Sequence, residues 1–177
     1  MRCLSVTQPW LSTILYKGKR IENRVKWQGC SYRGPILLHA AKSVGSISEF
    51  DDVITTLMMN GVTREYVEAE LAQFGPRRGH RSDVWSPLPK LPRAGIMGRA
   101  RIAGVISGGR YGERDFAAYA ANTPDGEMQR KWWWGQFALV LEDVEPMPFV
   151  PWVGALGLFE VDVNQLPAEY RHEPGSS

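Results

Sequence analysis

Several parts of the chain alternate between hydrophobic and polar residues with a period of two, which is the pattern of a half-buried β-strand. In one of them, Ile21, Val25 and Trp27 fall on one face of the strand and charged residues fall on the other. Other segments, such as 35–40, are almost wholly apolar and predict strands buried on both faces. Together these patterns predict five or six strands, at residues 3–6, 20–27, 35–40, 96–106, 136–144 and 156–163.

A short amphipathic helix is predicted from Pro9 to Lys17. Pro9 suits the first helical position because the N–H that it lacks would have no partner there, and apolar residues then recur at helical spacing. Gly18 follows, and glycine readily takes the left-handed conformation that ends many helices. The sequence therefore predicts a helix, a sharp turn and a charged strand in direct succession.

The segment from Ser46 to Phe74 predicts a pair of helices. Ser46 and Glu49 have the spacing of a capping box, an apolar stripe follows, and Gly61 separates this run from a second helix. Residues 76–93 then form a proline-rich basic loop, which suits either a phosphate backbone or plain solvation.

The strands do not alternate regularly with helices, which argues against a doubly wound parallel sheet. The pattern instead favours an α+β fold, a small mixed β-barrel with short flanking helices and an inserted helical hairpin. We expect one domain over residues 1–170, with the insertion at 43–93, and a disordered tail at 171–177. A further possibility is that the hairpin docks on a protein partner through its apolar stripe.

The composition is that of an ordinary globular domain: 177 residues, of which 44% are apolar and 23% charged. No apolar run approaches the roughly 18–20 residues of a membrane span, and the N-terminus has no signal-peptide pattern. Cys3 and Cys30 provide no disulfide framework, and the histidines and cysteines lack metal-site spacing. We therefore expect a cytoplasmic protein that needs no membrane, metal or cofactor.

Charge is distributed unevenly along the chain. Residues 1–42 contain eight Lys or Arg against one acid, Glu22, whereas residues 142–177 contain seven acids against one base, Arg171. A segregated basic face is the usual electrostatic signature of phosphate binding, although charges also gather on faces that are merely solvated. The charge pattern thus leaves nucleic-acid binding open without requiring it.

The most informative positions are Lys19, Glu22 and Arg24, just after the predicted turn. Lys19 and Glu22 are close enough to pair, and an exposed pair would be worth about 0–1 kcal/mol. In a cleft, Glu22 would accept a hydrogen bond from a base amino group, and Lys19 would meet a phosphate or a developing oxyanion. Arg24 shares a strand face with Glu22, so it would either grip a phosphate or pair with Glu22.

Several motifs along the chain occur in an order typical of one family. They are Gln8-Pro9-Trp10, Lys19-x-x-Glu22-x-Arg24, Tyr32-Arg33-Gly34, His39-Ala40-Ala41-Lys42, Gly95-Ile96-Met97-Gly98-Arg99, Trp134-Gly135-Gln136-Phe137 and Gly154-Ala155-Leu156-Gly157. In this order, over roughly residues 2–42 and 94–163, the chain resembles the ASCH domain family, a branch of the PUA-like superfamily. The resemblance implies a PUA-like β-barrel and a cleft lined by the Lys, Glu and Arg of the second motif.

The resemblance also implies binding of RNA or single-stranded DNA. The alternative is a metal-independent hydrolase of the same fold, a ribonuclease or an amidohydrolase on acylated cytidine, with Lys19 and Glu22 as the catalytic pair. Two departures from the family pattern stand out. Many members have glycine where this chain has Lys17, and the amidohydrolase relatives carry a nucleophilic threonine where this chain has Glu22. The second departure shifts the interpretation from catalysis towards recognition.

The candidate nucleic-acid-binding residues are Trp10, Lys19, Glu22, Arg24, Tyr32, Arg33, His39, Lys42, Lys131, Trp132, Trp133 and Trp134. Structural roles compete with several of these assignments. Trp10 suits either the core or a pocket wall, and His39 suits either a satisfied core position or an acid–base role. Three adjacent tryptophans cannot all point inward on a strand, so at least one is expected to be exposed or covered by the insertion.

Overall fold

The computed structural model describes residues 1–25, 31–44, 47–59, 91–135 and 137–171. Its strands are β1 (Arg2–Gln8), β2 (Ile21–Arg24), β3 (Gly34–Val44), β4 (Gly95–Ile106), β5 (Phe137–Pro151) and β6 (Leu158–Glu160). Its α-helices are α1 (Trp10–Tyr16), α2 (Ile47–Met59) and α3 (Gly112–Asn122), and short 3₁₀ segments occur at Gly109–Tyr111, Gly126–Trp132, Val163–Gln165 and Ala168–Tyr170.

The strands form one curled mixed sheet in the order β2-β5-β4-β3-β1-β6. The pair β1–β3 is parallel, and the other neighbouring pairs are antiparallel. The protein is therefore α+β, with a six-stranded half-barrel and a few short helices, as the sequence predicted at that level.

The core lies inside the curl of the sheet, where the apolar strand residues meet the apolar face of α1. Leu11 and Ile14 of α1 are fully buried against β-strand residues such as Leu38. The helix comes so close to β4 that a Cβ at Gly98 would lie 2.5 Å from Leu15 Cδ2. This close approach fixes α1, and with it the turn that follows, against the sheet.

Several predicted elements are confirmed, with shifted ends. The helix α1 starts one residue later than predicted, and Gly18 has the predicted left-handed conformation, with φ of +72°. The last two strands differ from the prediction: β5 continues seven residues beyond residue 144, and β6 covers only Leu158–Glu160. The last residues of β5 include several prolines and do not alternate regularly between apolar and polar, so the sequence pattern underestimated the length of this strand.

The helix α3 was missed, since the sequence analysis predicted only a turn near residues 108–109. Its residues Gly112–Asn122 contain many small and charged side chains, and Phe116 is its one large buried residue. The first helix of the predicted hairpin is present as α2. Residues 60–90, which hold the predicted second helix and most of the basic loop, lie outside the described residues, as do Ser46 and residues 172–177, so the proposed docking on a protein partner stays a prediction. In the described part of the chain, every helix is too short or too polar to cross a membrane.

Candidate functional site

The curl of the sheet brings β2, at one edge, next to β1, which is one strand from the other edge. Arg24 on β2 donates a hydrogen bond from Nη2 to the carbonyl oxygen of Ser5 on β1, at 2.9 Å. Below this contact is a cavity of about 380 Å³, lined by residues from β1, α1, β2, β3, α2 and the loops before β5 and β6. The second motif of the sequence, from Lys19 to Arg24, forms part of its wall.

Lys19 is placed by the turn that ends α1. Because Gly18 is left-handed, the chain folds back, and the Lys19 N–H donates to the Thr13 carbonyl at 3.3 Å. This bond spans seven residues, one more than the 6→1 bond of a Schellman motif, and it closes the C-terminus of the helix over the turn. It directs Lys19 inward beneath the helix, where the residue is only 1% exposed.

The Gln129 side chain holds the same turn from the other side. Its Nε2 donates to the Gly18 carbonyl at 3.1 Å, and its Oε1 accepts from the Arg20 N–H at 2.8 Å. One amide thus satisfies two backbone groups that would otherwise be buried without partners. Gln129 belongs to none of the sequence motifs, so its role in holding this turn is seen only in the structure.

Lys19, Glu22 and Arg24 form one buried ionic network. Lys19 Nζ lies 2.7 Å from Glu22 Oε2, and Arg24 Nη2 lies 3.3 Å from Glu22 Oε1. Burial lowers the pKa of Lys19, and the Glu22 carboxylate opposes that effect. Since a carboxylate has about four acceptor sites, Glu22 can still accept a hydrogen bond from a ligand in the cavity.

Two tryptophans form the aromatic wall of the cavity. Trp10 and Trp134 meet edge to face, with ring centroids 5.0 Å apart and an interplanar angle of 73°. Lys19 Nζ lies 5.6 Å from the Trp10 ring, within the range of a cation–π contact. Trp10 is nearly buried, whereas Trp134 is 47% exposed, so Trp134 presents indole surface to the solvent at the cavity mouth.

Asn23 fixes the segment that carries Trp134. Its Nδ2 donates to the Trp132 carbonyl at 2.7 Å, and its Oδ1 accepts from the Trp134 N–H at 3.4 Å. Trp132 is fully buried in the main core, and Trp133 stacks on Phe116 of α3. The expectation that at least one of the three tryptophans is exposed is confirmed by Trp134.

Glu49 brings a second carboxylate to the cavity. The sequence assigned it to a helix cap, but its Oε1 accepts a hydrogen bond from Trp10 Nε1 at 2.9 Å. Among the described residues that line the cavity, Lys19 and Arg24 are positive, and Glu22 and Glu49 are negative. The described part of the wall is therefore formally neutral, which suits a polar ligand group without net charge better than an anion.

A larger pocket of about 980 Å³ adjoins this cavity and shares with it Ser5, Ala41, Ser43 and Leu156. His39 lies on its floor, where its Nε2 is 3.1 Å from the Trp152 carbonyl and its Nδ1 is 3.2 Å from Ser5 Oγ.

A carbonyl only accepts, so the neutral ring of His39 donates from Nε2 and accepts the Ser5 hydroxyl proton at Nδ1. Burial lowers the pKa of His39 and favours this neutral form. His39 is thus a satisfied histidine that joins β3 to β1 and to the end of β5.

The structure brings five of the predicted residues to the smaller cavity and two to the larger pocket. The first group is Trp10, Lys19, Glu22, Arg24 and Trp134, and the second is His39 and Lys42.

The other candidates lie elsewhere. Tyr32 and Arg33 precede β3, whereas Ala41 and Ser43, which line both pockets, stand at its far end, on the order of 25 Å away. Tyr32 donates to the Pro35 carbonyl, and Arg33 donates to the Tyr32 carbonyl, at 2.7 and 2.8 Å. Tyr32 also packs against the main core and lies 4.7 Å from the Arg2 guanidinium, and neither residue lines either pocket.

Lys131, Trp132 and Trp133 also lie outside both pockets. Trp132 and Trp133 are 0% and 7% exposed, because Trp132, at the end of the 3₁₀ segment, packs in the main core and Trp133, which follows it, packs on Phe116 of α3. Lys131 lies beside Trp132, with Nζ 5.6 Å from the ring. Packing, the simpler interpretation of these tryptophans, is the one that the structure supports.

Comparison with known proteins adds no relative. A scan against protein-family models found no match, and a search of curated proteins found none either. In the described residues, no group of three or more His, Cys, Asp or Glu is arranged to hold a metal ion. The functional argument therefore rests on the geometry of the cavity.

Proposed function

We propose that this chain is a PUA-like protein of the ASCH type that binds RNA or single-stranded DNA and holds one base in the smaller cavity. The observation that carries the proposal is the combination of an aromatic wall, Trp10 and Trp134, with a buried Lys19–Glu22–Arg24 network whose excess positive charge is offset by Glu49. The ordered motifs of the sequence support the family assignment.

The cavity suits a single base in size and in polarity. Its volume of about 380 Å³ is near the lower end of the roughly 300–1,000 Å³ of small-molecule sites. Trp134 offers a stacking surface, and stacking of a base on an aromatic side chain is worth about 1–3 kcal/mol. The free acceptor sites of Glu22 would receive the amino group of a base, and Asn23 and Arg24 supply further polar groups at the wall.

The burial of Lys19 changes the role expected for it. A side chain that is 1% exposed and paired with Glu22 at 2.7 Å has no open face for a bulky phosphate. In this proposal Lys19 orients Glu22 and balances its charge. In place of Lys19, cations at the surface of the site contact the phosphates, and the exposed Lys42 is one of them.

The test is binding of fluorescent single-stranded RNA and DNA ten-mers at low salt, measured by anisotropy. Trp134→Ala should weaken binding by about 5- to 150-fold, the equivalent of about 1–3 kcal/mol. Tyr111→Ala is the matched control, because Tyr111 is 46% exposed but does not line either pocket. Absence of binding at low salt, or equal affinities for the two variants, would contradict the proposal.

One observation favours the hydrolase as a second candidate. The amine of Lys19 has a lowered pKa and lies 2.7 Å from the Glu22 carboxylate, an arrangement that could activate a nucleophile or a water molecule. Incubation with RNA and with acylated cytidine in the presence of chelator would detect turnover. The double variant Lys19→Met/Glu22→Gln removes both charges together, and turnover that survives in it would exclude this pair as the catalytic one.

A further inference from the structure

The larger pocket is continuous with the proposed base cavity. The two share Ser5 on β1, Ala41 and Ser43 on β3, and Leu156 in the loop before β6. A strand whose base occupies the smaller cavity would therefore pass directly into the larger pocket. The combined volume exceeds what one base requires, since the larger pocket alone has about 980 Å³.

The two pockets differ in charge. Among the described residues, the lining of the smaller pocket balances two cations with two carboxylates, whereas Lys42 is the only formally charged side chain that lines the larger one. Ala94 also lines the larger pocket, and the residue before it, Arg93, is exposed. The larger pocket thus suits an anionic group, and a phosphate between two nucleotides is such a group.

The floor of the larger pocket is rigidly built. The Trp152 N–H donates to the Ala94 carbonyl at 3.0 Å, and the Trp152 carbonyl is bound by His39 at 3.1 Å. Gly154 approaches His39 so closely that an added Cβ would lie 2.2 Å from its Cε1. Together with the Ser5 N–H, which donates to the Gly157 carbonyl at 3.0 Å, these contacts anchor the loop of residues 152–157 to β1 and β3.

The rim of this loop is apolar and exposed. Val153 is 93% exposed and Leu156 is 100% exposed, although both line the larger pocket. These aliphatic side chains at the edge of a concave site offer a packing surface to a ligand that has apolar faces. The two flat faces of a base fit this surface.

We propose that the larger pocket is a second subsite, which binds the nucleotide next to the one held in the smaller cavity. Lys42 contacts the phosphate that joins the two nucleotides, and the second base packs on Val153 and Leu156. This inference rests on the proposed function, because it takes the first base to occupy the smaller cavity. The smallest ligand that fills the site is then a dinucleotide.

The test is a ladder of ligands, titrated by calorimetry into the intact protein at low salt: the four ribonucleosides, their 3′- and 5′-monophosphates, and the four homodinucleotides. We expect a dinucleotide to bind about 5- to 150-fold more tightly than the better monophosphate. Val153→Ser should remove most of that gain without changing nucleoside affinity, since Val153 lines only the larger pocket.

Lys42→Ala tests the phosphate contact. In a plot of log binding constant against log salt for the dinucleotide, the slope should become shallower by about 0.7, the value for one phosphate contact on a single strand. Lys131→Ala is the matched control, because Lys131 lines neither pocket. An unchanged slope in Lys42→Ala would overturn the assignment of Lys42.

The ladder separates failure of the second subsite from failure of the proposed function. If a nucleoside or monophosphate binds but the dinucleotide binds no more tightly, the second subsite is wrong and the base cavity stands. If no ligand of the ladder and no longer oligonucleotide binds, the base cavity itself is wrong, and the second subsite falls with it.

Discussion

Replacement of Glu22 by Gln should destabilise the protein strongly at neutral pH. The exchange is nearly isosteric, but it leaves the ammonium of Lys19 buried without its counter-ion, since the side chains are 1% and 9% exposed. Removal of one partner from a buried pair typically costs about 3–5 kcal/mol. Arg24, 3.3 Å from the same carboxylate, adds like-charge repulsion once the carboxylate is gone.

The destabilisation caused by Glu22→Gln cannot exceed the free energy of deprotonating Lys19, and that free energy depends on pH. Lys19 can escape the penalty by losing its proton, and burial already lowers its pKa. Deprotonation of a lysine with an unperturbed pKa of about 10.4 costs about 1.4 kcal/mol per pH unit, which is about 5 kcal/mol at pH 7 and under about 1 kcal/mol at pH 10. The destabilisation should therefore be about 3–5 kcal/mol at pH 7 and about 1 kcal/mol at pH 10.

Urea unfolding followed by tryptophan fluorescence at both pH values measures this difference against the wild type. Glu145→Gln is the matched control, because the pair of Glu145 with Arg99 is partly exposed and should be worth about 0–1 kcal/mol. The double variant Lys19→Met/Glu22→Gln should recover most of the loss, since no unpaired ammonium remains. A loss below about 1 kcal/mol at pH 7, or an equal loss at pH 10, would refute the buried pair.

Three further variants probe the structure around the site. His39→Gln should make the free energy of unfolding less dependent on pH below about pH 6.5. Because the pKa of His39 is lowered in the folded protein, the unfolded chain takes up this proton at a higher pH than the folded one. The stability of the wild type therefore falls in this range by up to about 1.4 kcal/mol per pH unit. Urea unfolding at pH 7.5 and 5.5 checks this, and parallel profiles would contradict it. Asn23→Ala should cost about 1–3 kcal/mol and also weaken oligonucleotide binding, because it releases the segment of Trp134; unchanged anisotropy titrations would argue against that link. Gln129→Ala should cost a similar amount in urea unfolding, since two backbone groups lose their partner, and a change under about 0.5 kcal/mol would show that water replaces the amide.

The local part of the site was predictable from the sequence. Pro9 and Gly18 set the ends of α1 through their own backbone preferences, and the alternation after Gly18 placed Glu22 and Arg24 on one strand face. These inferences depend on neighbouring residues only. They therefore needed no knowledge of the sheet.

The non-local part of the site was not predictable in the same way. The contact of Arg24 with the Ser5 carbonyl depends on the order and curl of six strands, which no short pattern encodes. Glu49 reaches Trp10 from an inserted helix, so its contribution to the charge of the cavity could not be predicted from the Lys19-x-x-Glu22-x-Arg24 motif. The tryptophan run was ambiguous for the same reason, because α3, which covers Trp133, was not predicted.

The most direct test of the account is the position of a bound base, measured by intermolecular nuclear Overhauser effects between an isotope-labelled protein and a short single-stranded oligonucleotide. If one base occupies the smaller cavity, its protons should show contacts to the indole of Trp134 and to Trp10, and the adjacent nucleotide should show contacts to Val153. Contacts confined to outer surface residues such as Tyr111, with none to Trp10 or Trp134, would contradict it.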